Sequence, residues 1–127
     1  MNKVLWVSQV LLAGMFLLAG FTKSVQPMAE LSENMLWVAT TPEWMVRLAG
    51  VSEVLGALGV ILPATMRIRP GLSPLAAAGL ALVMMLAVVF HSVRGEFYAL
   101  PINFVLMALA LFVAYGRHTL VPITAKS

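Results

Sequence analysis

The chain has no cysteine and very little charge, and each shortage excludes a class of chemistry. Without cysteine there is no disulfide, no thiolate chemistry and no cysteine-ligated iron-sulfur cluster, and the redox compartment is left undetermined. Only 10% of the 127 residues are charged, against about 25% in soluble globular proteins. A basic run is missing too. The net charge of +3 comes from lysines and arginines scattered singly at the ends of apolar segments, as flanking anchors would be, which argues against a nucleic-acid partner. No Walker loop, no G-x-G-x-x-G and no nucleophile elbow occurs. The length suits one compact domain of several spans and is too short for an added soluble catalytic domain of ordinary size.

What remains is apolar: 61% of the residues are hydrophobic. The expected fold is all-α, an integral membrane four-helix bundle in a single transmembrane domain over residues 1–127. Its spans are expected at 4–22, 45–63, 72–91 and 98–115, with an interfacial helical segment between the first and second. The first run, flanked by Lys3 and Lys23, has a signal peptide as its competitor. It is longer than a usual signal core, and Leu18 to Gly20 matches a small-x-small cleavage site poorly, so a retained helix is expected. On that helix Gln9, Ala13, Phe16, Gly20 and Lys23 share one face.

Between Ser24 and Trp44 the chain is more polar. Pro27 can open a short helix on which Met28, Leu31, Met35 and Val38 recur at spacings of three and four, as in a segment lying at the interface. Trp37 and Trp44 belong at headgroup depth, and Thr40, Thr41 and Pro42 end one helix and restart another. On the second span Ala49, Ser52, Gly56, Gly59 and Pro63 make a small-residue stripe suited to close helix contact. Spacing leaves open whether that stripe packs within the protomer or across a dimer. Pro63 is expected to end the span.

Glu53 is the most informative residue. It lies about 9 Å further along the helix than Arg47, inside the hydrocarbon if Arg47 marks the interface, so it needs a partner, a proton or a wet cavity. Alternating helix directions bring Lys23, Arg47, Glu53, His91 and Asn103 to one end of the bundle, where they are expected to line a polar pocket with apolar walls and a rim of Tyr98, Trp37 and Trp44. Five basic residues on the side of the termini (Lys3, Arg67, Arg69, Arg117, Lys126) against three on the other favour a cell inner or plasma membrane protein with both termini cytoplasmic.

Each candidate has a functional and a structural reading. Glu53 and His91 form a candidate acid/base couple, against an ion pair closing the bundle and an interfacial histidine without a special role. Lys23 and Arg47 are snorkelling anchors or clamps for a ligand oxygen; Asn103 binds a ligand carbonyl or makes an interhelical hydrogen bond. No metal site is expected: His91, Glu53 and Glu96 lack motif spacing, and His91 and His118 belong to opposite ends of the bundle, which disfavours a bis-histidine haem.

The stretches AGFTK (Ala19 to Lys23), RLAGVSEVLGALGVILP (Arg47 to Pro63) and FH (Phe90, His91), together with Asn103, resemble the DoxX-like family of small membrane proteins. The resemblance implies a four-helix bundle, with some relatives linked to quinone-dependent redox chemistry and oxidative-stress complexes. It also extends distantly to membrane proteins that assist receptor assembly. Residues and resemblance together point to a pocket for a lipophilic small molecule, quinone-like or terpenoid-like, with a quinone as the one candidate cofactor. If turnover follows, the residue types suit isomerase-like acid/base chemistry or a quinone-linked oxidoreductase component. The rival classes are a small proton-coupled transporter working as a homodimer and an assembly or chaperone subunit docked on a membrane partner protein.

Overall fold

The structure, a computed structural model, describes residues 1–125; Lys126, counted above among the flanking charges, lies outside them. Five α-helices follow one another: α1 (Asn2–Val25), α2 (Met28–Asn34), α3 (Glu43–Met66), α4 (Leu72–Val93) and α5 (Leu100–Tyr115). A 3₁₀ turn at Leu36–Thr40 follows α2, another at Phe97–Ala99 precedes α5, and a wide π-type turn at Gly116–Leu120 prolongs α5. No strand occurs among the described residues.

Four of these helical stretches, α1, α3, α4 and the continuous Phe97–Leu120, are long and apolar enough to cross a bilayer. The 24 residues of α1 and of α3 extend about 36 Å, more than the hydrocarbon thickness of about 30 Å. The helices therefore overrun the apolar sequence by a few residues at most ends. Large apolar side chains such as Leu11, Leu18, Leu55, Leu82 and Val105 are more than half exposed. In water such a surface would aggregate, whereas in a bilayer it faces acyl chains while the helices satisfy their own backbone.

The four long helices form a ring in which α1 packs on α3, α3 on α4 and α4 on α5, with a lighter closing contact between α5 and α1. Leu12, Phe16, Val60, Leu80, Met84 and Val113, one or two from each helix, fill its core. The small-residue stripe of α3 packs inside the protomer. A side chain added at Gly56 would strike Leu80, and one added at Gly59 would come within 2.8 Å of Ala76 Cβ, both on α4.

Pro63 does not end α3. The helix runs on to Met66, where Arg67 and then Arg69 take left-handed conformations with φ of 56° and 48°. So close to the helix end, the missing N–H and the crowding of the Gly59 carbonyl affect only the last turn. The interfacial segment forms as its spacing predicts. Pro27 caps α2 and Pro42 caps α3, while Leu31 and Val38 bury themselves against Val46 with Met28, Met35 and Trp37 around them. This small second core fixes the segment over one end of the ring.

The start of α1 and the stretch after α5 meet at the opposite end. Gly116 is buried where any side chain would strike Leu5, and that close approach carries Arg117 to α1. There its Nε donates to Gln9 Oε1 at 2.5 Å and its Nη1 to Asn2 Oδ1 at 2.8 Å. Gln9 Nε2 in turn donates to the Val60 carbonyl at 3.0 Å. Arg117 is thus a buried tie between α1 and α5, not the exposed flanking anchor its sequence position suggests.

Candidate functional site

The site is built on a crossing of α1 and α3 at two glycines. A Cβ at Gly20 would lie 2.6 Å from the Gly50 carbonyl oxygen, and one at Gly50 would lie 2.8 Å from the Gly20 carbonyl oxygen. The two backbones touch there, as small residues permit in lipid. Lys23 and Glu53 stand three residues beyond these glycines on their helices, which run in opposite directions. Helical side chains lean toward their own N-terminus, so Lys23 and Glu53 lean toward each other. Lys23 Nζ donates to both carboxylate oxygens of Glu53, at 2.9 and 3.0 Å. The Glu53 side chain is only 3% exposed and that of Lys23 14%.

Arg47 stands away from this centre. Its Nη1 donates to the Lys23 carbonyl at 2.9 Å, satisfying an orphan carbonyl at the end of α1, and its Nη2 pairs with Glu43, one turn earlier on α3, at 3.1 Å. It braces the α1–α3 junction and is not on the cavity wall. His91 and Glu53 do not bond each other either. His91 Nδ1 is held by Glu96 Oε1 at 2.8 Å, because the turn at Gly95 (φ 72°) folds Glu96 back over the end of α4. Lys23 meanwhile occupies Glu53.

Lys23, Glu53, His91 and Asn103 nevertheless share one cavity of about 620 Å³, within the usual size of small-molecule pockets. Its walls are largely apolar, with Leu48, Val83, Met84, Ala87 and Leu106 among them. Trp37, Trp44 and Tyr98 also line it, as the expected rim; Trp44 and Tyr98 are mostly exposed. Trp37 stands between the polar groups, its ring 5.3 Å from that of His91 and 5.8 Å from Lys23 Nζ. Asn103 is buried, yet its Nδ2 has no hydrogen-bond partner. A buried amide donor without an acceptor is expensive, and in a cavity wall it is a ready contact for a ligand oxygen.

Sequence reasoning missed Arg94. Its Nη1 donates to Thr41 Oγ1 at 2.8 Å, its Nη2 reaches Thr40 Oγ1 and pairs with Glu96 Oε2 at 3.2 Å, and its guanidinium lies 4.6 Å from the Phe90 ring centre. It fastens the interfacial segment to the end of α4. The signal was the tripeptide Arg94-Gly95-Glu96, a glycine turn between opposite charges that begins three residues after His91.

The family model of the DoxX-like family matches residues 7–113, most of the chain and every residue of the cavity. The chain belongs to the DoxX-like family. No curated protein and no solved structure is matched. Membership and the four apolar helices make it an integral membrane protein whose surroundings are the lipid bilayer.

Proposed function

We propose that this DoxX-like protein binds a neutral lipophilic molecule with a carbonyl-bearing head, quinone-like or terpenoid-like, in the cavity beside Glu53. The observation that carries this is the unpartnered Asn103 amide, buried in the wall of a largely apolar cavity. The charge balance supports a neutral head. Lys23 is paired with Glu53, Arg47 with Glu43, and Arg94 with Glu96, so no basic side chain at this end is left to attract an anion. Asn103 holds the carbonyl, and Lys23 is the second donor within the same cavity. Glu53 and His91, whose Nε2 is left for a ligand once Glu96 takes Nδ1, are the groups available to move a proton. Turnover, where it occurs, is acid/base isomerisation or the proton half of a quinone reaction run with a redox partner. With the termini cytoplasmic in the inner or plasma membrane, the cavity belongs to the outer half of the bilayer.

Fluorescence of Trp37, with Trp6 and Trp44 replaced by Phe, reports binding directly. A short-chain ubiquinone analogue should quench it saturably in nanodiscs. Asn103→Leu should weaken binding about fivefold, the worth of one hydrogen bond. Linear, unsaturable quenching that is identical in both proteins would remove the proposal. Glu53→Gln should retain binding while abolishing any turnover.

A further inference from the structure

We propose a second site, a cleft at the end of the bundle where the start of α1 meets the segment after α5, that takes a phosphate-bearing anion through Arg117 and Arg67. The cleft has a volume of about 510 Å³ and lies between the start of α1, the end of α3 and the segment after α5, with Asn2, Trp6, Thr65 and Ile123 on its walls beside the two arginines. Arg117 is only 3% exposed. Its hydrogen-bond partners among the described residues are all neutral: Gln9, Asn2 and the Val121 carbonyl at 2.9 Å. Its Nη2 has no hydrogen-bond partner among the described residues. The indole of Trp6 lies 5.1 Å from the guanidinium carbon and screens it from water.

The sequence contains no aspartate, and its five glutamates are Glu30, Glu33, Glu43, Glu53 and Glu96, all on segments at the opposite end. A buried guanidinium keeps its charge at any ordinary pH, and burying a charge without a counter-ion is costly. Among the described residues no acidic group compensates it, which leaves the place to an anion from outside. Two guanidinium groups on one cleft suit the oxygens of a phosphate, which accept paired N–H donors. The apolar Trp6, Val121 and Ile123 beside them suit the glycerol and upper acyl region of a lipid. The ligand class is therefore a phosphate-bearing anion, either an anionic phospholipid headgroup or free phosphate.

Native mass spectrometry of the full chain in detergent, titrated separately with phosphatidylglycerol, phosphatidylcholine and inorganic phosphate, distinguishes these. Arg67 is exposed and makes one bond, to the Thr124 carbonyl, so Arg67→Gln leaves the fold standing. A lipid source predicts one preferred phosphatidylglycerol adduct, weakened about fivefold by Arg67→Gln, with phosphatidylcholine weak in both proteins. A soluble source predicts an inorganic phosphate adduct with the same dependence on Arg67 and no preference between the lipids. Either supports the site. Arg117→Lys, which keeps a charge but not the planar donor pair, should bind more weakly than wild type in whichever arm is positive. Equal binding of both lipids with no effect of Arg67→Gln, together with no phosphate adduct, would overturn it. Glu53→Gln should change none of these adducts, which keeps this test separate from that of the first cavity.

Discussion

Each end of the bundle draws a basic side chain inward, Lys23 partly and Arg117 almost completely, and the two are compensated differently. At the Glu53 end Lys23 meets a carboxylate at 2.9 Å, and the arginines around it, Arg47 and Arg94, are also paired with glutamates. At the other end the hydrogen-bond partners of Arg117 among the described residues are all amide and carbonyl oxygens. Apolar spans leave few places for charge, so each buried cation indicates what its surroundings supply. At the first end every basic side chain has a glutamate beside it and the Asn103 amide is without a partner; at the second, no acidic side chain among the described residues stands beside the Arg117 guanidinium. On the two proposals, one fold presents two sites with opposite preferences, a neutral polar head and a negatively charged one.

The largest expected effect comes from unbalancing the Lys23–Glu53 pair. Lys23→Met strands Glu53 in a site where only 3% of its side chain is exposed, and should cost about 3–5 kcal/mol of stability. Unfolding by SDS titration measures this, and adding Glu53→Met to the same protein should recover most of the loss. Gly50→Val attacks the same pair through its frame. A Cβ there lies 2.8 Å from backbone atoms of α1 that cannot yield, so α1 and α3 must separate at a cost of about 3 kcal/mol. Gly14→Val, at a glycine with open space around it, is the control and should be tolerated.

At the terminal end Gln9→Leu removes the acceptor of the Arg117 Nε and should cost about 1.5–3 kcal/mol, as for a hydrogen bond to a charged group. Ligand binding at the Glu53 cavity should be unchanged, which an equal quenching curve would verify. The smallest effect on stability belongs to Asn103→Leu. Its amide nitrogen has no protein partner to lose, so the unfolding midpoint of the ligand-free protein should stay the same or rise, while ligand affinity falls.

Much of this was legible in the chain, because lipid restricts the choices. Apolar runs of span length must be helices, and their alternation brings the polar residues of alternate ends together; hence Lys23, Glu53, His91 and Asn103 were expected at one place and line one cavity. Pairings within the cluster were not legible. Arg47 was expected on the wall, but its reach along α3 brings it to the Lys23 carbonyl and to Glu43. The choice of Glu96 over Glu53 by His91 depends on one positive φ at Gly95. Arg117 was the least legible. An arginine at the end of an apolar run has the pattern of an anchor, and its acceptors Gln9 and Asn2 lie more than a hundred positions away in sequence. Only the seating of Leu5 on Gly116 brings them together.

The most direct test of the two-site contrast is mass spectrometry of the lipids and small molecules extracted from purified wild type, Asn103→Leu and Arg67→Gln. A neutral carbonyl-bearing lipophile retained by wild type and Arg67→Gln but lost from Asn103→Leu, with anionic phospholipid depleted only in Arg67→Gln, is the predicted result for a lipid source at the second site. Identical extracts from all three proteins, containing bulk phospholipid alone, would contradict it.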